Sequence, residues 1–356
     1  MSQKFILWIW KVQNRFWSAK RAFNRKWKIP FLKRFYLLFC GFCSHEFTLY
    51  DLKKYNRKDY FTDRIRGTRV LTMEKDYFLT ILTRDKLIFS ELIKSHVNVS
   101  DTVATIKKGK VHEWNGSGIH NTDELLDYFK KINDKNMIVK PNNLRMGMGI
   151  FVLRYEKNIG FLHNEEPISE EKLREKFSKL SYYLVSHYVC NGAYSAAVFG
   201  KTCNTVRIMT LIDPDTDRAF VARAVHRFGC EKSYPVDNAY KGGLFVSLDE
   251  KNGKAQRAVR IENGRYVDIT SHPDSGADFV DFCVPNWDKV VENITRLANA
   301  VKYKYQVCWD VAVHDDGSIT IIEGNFPGDC YVLQAYEPFL IDPRIRKFYQ
   351  YHGVIK

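Results

Sequence analysis

At 356 residues, 45% apolar and 14% aromatic, the chain can hold two or three lobes with a sizeable core and is too apolar to be disordered. Its net charge of +14 is concentrated at one end: Lys4, Lys11, Arg15, Lys20, Arg21, Arg25, Lys26, Lys28, Lys33 and Arg34 occur with no acid among residues 1–34. The remainder is only mildly basic, which excludes a protein-wide nucleic-acid surface as the source of the charge.

The first segment, KFILWIWKVQNRFWSAKRAFNRKWK (4–28), reads as a helix. Phe5, Trp8, Val12, Phe16, Ala19, Phe23 and Trp27 share one stripe about 100° wide, while Arg21, Arg25 and Lys28 lie opposite. A cationic, Trp-rich amphipathic helix suits a membrane interface. Docking on its own domain is the plainer alternative, and Trp10 and Trp17 fall on the polar side. Pro30 ends the helix. The longest unbroken apolar run, Phe35 to Cys43, is far short of the roughly 20 residues a spanning helix needs. No cleavable secretory signal is expected.

Two helical patterns follow, at 48–64 and at 83–96, the second starting at Thr83 with Asp85 in its first turn. From Val103 the texture changes to short strands and turns. NMIVKP (136–141) is a buried strand, and MGMGIFVLRY (146–155) a glycine turn running into another. A charged helix (168–180) and the strand YYLVSHYV (182–189) come next. NTVRIMTLI (204–212) and AFVARAVHRF (219–228) form a hairpin about Asp213–Asp217. The loop YPVDNAYKGGLFVSL (234–248) leads to a hairpin around Asn252-Gly253, then a helix (286–302). A closing strand pair (306–325) turns at Asp315–Gly317. The eight cysteines are scattered; Cys40 and Cys43 form the single C-x-x-C, with no second pair to complete a zinc site, so reduced thiols are expected. The pattern is α+β with largely antiparallel pairing.

Chemistry gathers at the strand ends. Glu323 and Asn325 are two apart, so on a strand they share a face, and two hard oxygen donors resemble half of a Mg2+ site. Capping of a turn at Pro327-Gly328 would explain them equally well, but it leaves out Asp310. Asp310 and Glu323 are equally far from the hairpin turn and should face each other, a repulsion that a divalent cation removes. Lys140 closes a strand just before Gly147-Met-Gly149, a combination suited to a polyphosphate. Taken alone, Lys86 is an ordinary helix-start lysine.

Asp85-Lys86, IVKP…MGMG, YLVSHYV and WDVAV…IIEGN, in this order, resemble the ATP-grasp fold. NTVRIMTL, VDNAYKGG, HPDSGADF…VPNWDKVV and WDVAVHDDGSITIIEGN make the chain most similar to the branch associated with sugar transfer and polysaccharide biosynthesis, over roughly residues 60–340. The resemblance implies two α+β lobes gripping ATP, at 106–190 (glycine loop) and 191–356 (metal site). Ahead of them would come a small region, 45–105, and the basic amphipathic segment, 1–44.

It also implies ATP and Mg2+ as cofactors. Lys86 and Lys140 would hold phosphates, with Gly147 and Gly149 forming the loop over them. Asp310, Glu323 and Asn325 would bind the metal. Ser186, His187 and Tyr188 occupy the strand that passes the adenine, where relatives commonly place a glutamate before an aromatic residue. Arg207 would face the transferred phosphate or the substrate carboxylate, with Arg227 and Asn238 as further substrate-side candidates. The implied activity is an ADP-forming carboxylate–amine ligase working through an acyl phosphate on a cell-surface polysaccharide or its precursor. Its partners would be a carboxylic acid and an amine, an amino acid and a sugar or glycan among them, and an anionic membrane surface met through residues 1–34. No nucleic acid is expected. The protein would be cytoplasmic, peripheral at the inner face of the membrane. Two alternatives remain open from the sequence: a kinase acting on a sugar hydroxyl, and a non-catalytic, membrane-recruited nucleotide-binding module.

Overall fold

A computed structural model describes residues 8, 9, 12, 13, 16, 19–21, 23, 29–70, 73, 84–144, 147–302, 305–326 and 328–356. Of the expected N-terminal stripe, Phe5 and Trp27 lie outside the described residues, as do Lys4, Lys11, Arg15, Arg25, Lys26 and Lys28, and further on Thr83 and Pro327. Trp8, Val12 and Phe16 are exposed.

Pro30 begins a helix, α1 (Phe31–Cys40), as its N-cap. Proline suits this position because a helix start needs no N–H there. Gly41, at φ 85°, closes α1, and α2 (Ser44–Leu49) follows at once. The continuous helix expected over 48–64 is not present. Asp51 accepts from the N–H groups of Lys53 and Lys54, and Asn56 from that of Lys58. Such local side-chain bonds offer the backbone turns in place of a helix. Short helical turns at Arg57–Asp59 and Asp63–Val70 stand in its place, and the helix expected from Thr83, α3 (Lys86–Ile93), starts later than expected. Asp85 is its N-cap, accepting from Leu87 N and Ile88 N, and lies just outside the first turn.

Two sheets follow, with β1 (Asn98–Val99) preceding the first of them. In the seven-stranded sheet the order is β3 (Lys110–Glu113), β2 (Thr102–Lys107), β8 (Tyr183–His187), β4 (Met137–Pro141), β5 (Phe151–Glu156), β6 (Gly160–His163) and β7 (Glu166–Ile168). Helices α4 (Thr122–Ile132) and α5 (Glu170–Ser178) bury Leu125, Leu126, Phe129, Leu173 and Phe177 in the core of this sheet.

The eight-stranded sheet runs β1, β15 (Ile319–Asn325), β14 (Gln306–Val313), β9 (Val206–Ile212), β10 (Ala219–Phe228), β11 (Leu244–Leu248), β12 (Ala255–Glu262) and β13 (Arg265–Asp268). Every pair is antiparallel except β1 with β15. Strand alternation divides its side chains between two cores. Val206, Ile208, Trp309 and Ile321 pack with Val290, Ile294 and Leu297 of α6 (Trp287–Ala300). Met209, Leu211, Val225 and Cys308 point the other way. There they meet Leu37 and Phe61 from the N-terminal region and Phe348 and Tyr349 of α7 (Pro343–Tyr351). The Trp309 indole is wholly buried, and its N–H donates to Thr210 Oγ1 at 2.8 Å, so no polar atom is stranded there.

Candidate active site

Strand pairing places the carboxylates. Asp310 lies directly opposite Glu323, and Cys308 opposite Asn325, as the equal spacing about the turn predicts. The register then slips: Val311 faces Ile321, so one extra residue sits in β15 between 321 and 323. Plain alternation would put Glu323 on the face of Ile319 and Ile321, in the core against α6. The bulge turns it to the face of Asp310 instead.

Asp310 is buried and clamped. Arg207 donates Nε to Oδ1 at 2.8 Å and Nη2 to Oδ2 at 2.9 Å, while Arg227 Nη2 lies 3.2 Å from Oδ2. Burial pushes the Asp310 carboxyl up, but the two guanidinium groups outweigh it and hold the group below the usual carboxylate range. A carboxylate offers about four acceptor sites, so these contacts leave roughly one for a cation.

Lys86 reaches the same strand end from α3. Its ammonium donates to Leu144 O at 2.8 Å and lies 3.9 Å from Glu323 Oε1. Asn142 clasps the start of α3, donating Nδ2 to Asp85 Oδ2 and accepting from Leu87 N. Gly324 permits the approach, because a Cβ there would meet the Phe89 ring at 2.3 Å. The glycine between Glu323 and Asn325 is thus the seat on which α3 packs.

Lys140, on β4, is 7% exposed, and among the described residues no hydrogen bond or ion pair reaches its ammonium. Burial, helped by the like charge of Lys86, lowers its pKa to about 8, with Glu323 opposing. A buried cation without a partner is costly unless an anion joins it. Gly147 and Gly149 both take positive φ, 66° and 71°, which a side chain disfavours. A Cβ on Gly149 would meet the Tyr183 hydroxyl at 2.5 Å, and Lys241 donates to Gly147 O at 2.8 Å.

The strand at 186–188 is used differently at each position. The Ser186 hydroxyl shares a hydrogen bond with Thr102 Oγ1 in the core. His187 Nε2 is 3.0 Å from the Tyr128 hydroxyl. Tyr188 N donates to Asn136 O. Asn238 caps a short turn by accepting from Tyr240 N, whereas its neighbour Asp237 is tied to the arginine cluster. Asp237 accepts from Thr205 N and Oγ1 and lies 3.3 Å from Arg227 Nε. Asp237, Asn142 and Lys241 were not singled out from the sequence. The motif VDNAYKGG, which was, contains two of them.

Arg207, Arg227, Asp310, Glu323, Lys86 and Lys140 therefore converge where the two sheets meet, while Ser186 and Asn238 serve the backbone and core around them. The crevice lined by Arg84, Lys86, Asn143, Glu323 and Asn325 has a free volume of only about 10 Å³. A larger cavity of about 390 Å³, lined by Leu87, Ser90, Lys94, Asp101 and Asn115, contains none of the converging charged groups.

Lys86 from α3 and Lys140 from β4 thus both stand near the strand end that carries Glu323. The chain matches the sugar-transfer associated ATP-grasp family over residues 71–343, most of its length, and belongs to that family. No curated protein matches it. One similar solved structure is the ATP-grasp ligase PsnB with a phosphomimetic variant of its minimal precursor, Mg and ADP, at 11% identity, over 81% of this chain and 61% of that one, with a TM-score of 0.39. An L-amino acid ligase from Bacillus licheniformis is 10% identical over 74% of this chain and 48% of its own, with a TM-score of 0.38. The D-alanine–D-alanine ligase from Bacillus anthracis is 10% identical over 76% and 69%, with a TM-score of 0.39. The chain thus spans about three-fifths of PsnB and about half of the L-amino acid ligase.

Proposed function

We propose that the protein is an ATP- and Mg2+-dependent carboxylate–amine ligase that adds an amide-linked group to a cell-surface polysaccharide or its precursor. The observation that carries this reading is Lys140, a buried ammonium with no partner among the described residues, converging with Lys86 on Glu323. Polyphosphate supplies the missing anion. The donor set suits the metal: Glu323 and Asn325 offer hard oxygens, and Asp310 has about one acceptor site left. Mg2+ bound there would neutralise charge on the β- and γ-phosphates.

Lys86 and Lys140 hold the phosphates, and the 147–149 turn covers them. Arg207 and Arg227, anchored by Asp310, face the transferring group and stabilise its charge. A substrate carboxylate oxygen attacks the γ-phosphorus, the bond to the β-phosphate oxygen breaks, and ADP leaves. The amine then attacks the acyl carbon of the acyl phosphate, inorganic phosphate departs, and the nitrogen gives up a proton. Backbone groups of 186–188 would meet the adenine edge. Residues 1–34, with ten basic side chains and no acid, would hold the enzyme peripherally at the inner face of the cytoplasmic membrane.

Hydroxylamine tests the ligase reading. With Mg-ATP and a panel of amino acids and uronic acids, hydroxamate should form in step with ADP. Phosphorylated sugar and ADP without hydroxamate would make the protein a kinase, and no turnover with any acceptor would make it a binding module.

A further inference from the structure

We infer that the outer face of α1, with the basic loop beside it, is a lipid-docking surface for an anionic bilayer. This rests on the peripheral reading above but places the apolar contact on a different element. Helix α1 turns only Leu37 and Arg34 fully inward. Leu32 is 81% exposed and Phe39 87%, and Phe31, Phe35 and Tyr36 are each more than half exposed. At 3.6 residues per turn these five fall on one side of the helix, opposite Leu37. A contiguous apolar face of this kind on a polar protein marks an interaction site.

The charge around the face selects the partner. No acid occurs before Glu46, which is itself buried. Arg57 donates to the Tyr36 hydroxyl at 2.9 Å and to Cys40 Sγ at 2.8 Å, which brings the exposed loop of Lys53, Lys54 and Lys58 alongside α1. On the helix itself, Lys33 sits 4.4 Å above the Phe47 ring. Phe23 packs edge-on against Phe35 with centroids 4.9 Å apart, so the face continues into the N-terminal segment, where Trp8, Val12 and Phe16 are also exposed. Apolar rings rimmed by lysine and arginine match the acyl and headgroup layers of an anionic leaflet. A second copy of this chain would bring two basic rims together, which like charges disfavour.

A run of side chains leads from α2 toward the end of β15. His45 of α2 lies 3.3 Å from Asp63, Asp63 accepts from Arg66, and Arg66 lies 3.8 Å from Asp329, four residues beyond Asn325.

The test uses the full chain, residues 1–30 retained, with Leu32→Ser, Phe35→Ser and Phe39→Ser combined. Wild type should co-sediment with vesicles of phosphatidylglycerol and phosphatidylethanolamine, and only weakly with phosphatidylcholine. The variant should bind at least about thirtyfold less while remaining folded, because Leu32 and Phe39 are almost wholly exposed and Phe35 is half exposed. Equal binding by variant and wild type would overturn the assignment to α1 while leaving the anchor at 1–34 standing. Failure of wild type to bind would overturn both. A wild-type dimer that the variant breaks, without vesicle binding, would assign the face to a second copy.

Discussion

Asp310 and Asp63 are both buried and held by arginines, and the contrast between them separates a binding site from a strut. Asp310 is gripped by Arg207 and Arg227, and Asp63 by Arg21, at 2.7 Å, and Arg66, at 2.9 Å. In both, burial raises the carboxyl pKa and the cations outweigh it. Asp63 even has the neighbours of a metal site, since the ligand atoms of Cys43, His45 and Asp63 lie within 4.8 Å of one another. Yet burial pushes the Cys43 thiol far up, and the two arginines already occupy the carboxylate. Asp310 is distinguished by its surroundings: Glu323 and Asn325 share its face, and nearby Lys140 is buried without a counter-ion among the described residues. An ion pair by itself indicates no function; a neighbouring unmatched charge does.

The largest expected effect belongs to the Asp310 side of this contrast. Glu323→Gln and Asn325→Ala should each reduce ADP release by at least about 10³-fold, roughly 4 kcal/mol of transition-state stabilisation. Thermal unfolding should be little changed. Activity within a few-fold of wild type at saturating Mg2+ would remove the metal assignment.

Asp63→Ala should act on the fold instead. It leaves a buried Arg66 guanidinium with a lost partner, costing about 3–5 kcal/mol in urea unfolding. Mg-ATP affinity of the folded variant should stay within about twofold, as expected of a strut. A variant as stable as wild type but unable to bind nucleotide would reverse the comparison.

Lys140→Met should weaken Mg-ATP about 30- to 100-fold, some 2–3 kcal/mol, by calorimetry. The sign of the pH effect follows from burial. Because the pKa is lowered to about 8, Lys140 is charged at pH 7 and loses its proton as pH rises through that value. Phosphate binding favours the protonated form, so wild-type affinity should fall above pH 8 and the variant should lack that fall. Parallel pH profiles would show that Lys140 does not meet phosphate.

Gly324→Ala has the smallest expected effect. The added Cβ would force the Phe89 ring aside, costing about 1–3 kcal/mol of stability and drawing Lys86 from Glu323. A neutral substitution at this position would mean that α3 does not depend on the glycine seat.

Much of this was written locally. Equal spacing about the hairpin turn anticipated that Asp310 and Glu323 oppose, although the register at the turn, with Val311 facing Ile321, reaches that pair only through the bulge. Lys140 before proline and the glycines at positive φ were legible because strand ends and glycine turns have short-range signals. The segment 48–64 misled because its apolar spacing resembles a helix, while Asp51 and Asn56 bond to the backbone and break it. Pro30, read as the end of the preceding segment, is also the N-cap of α1, since proline serves both boundaries.

The sequence by itself determined the family, the alternating strands and the donor types, because these depend on side-chain chemistry and on separations of a few residues. Tertiary structure decided the rest. The bulge that turns Glu323 out of the core depends on a register formed with β14. The Arg207–Asp310 clamp joins positions 103 residues apart. The exposure of α1 depends on which of its faces the remaining chain leaves uncovered. Each of these is set by what packs on the other side of an element, and no local pattern carries that partner.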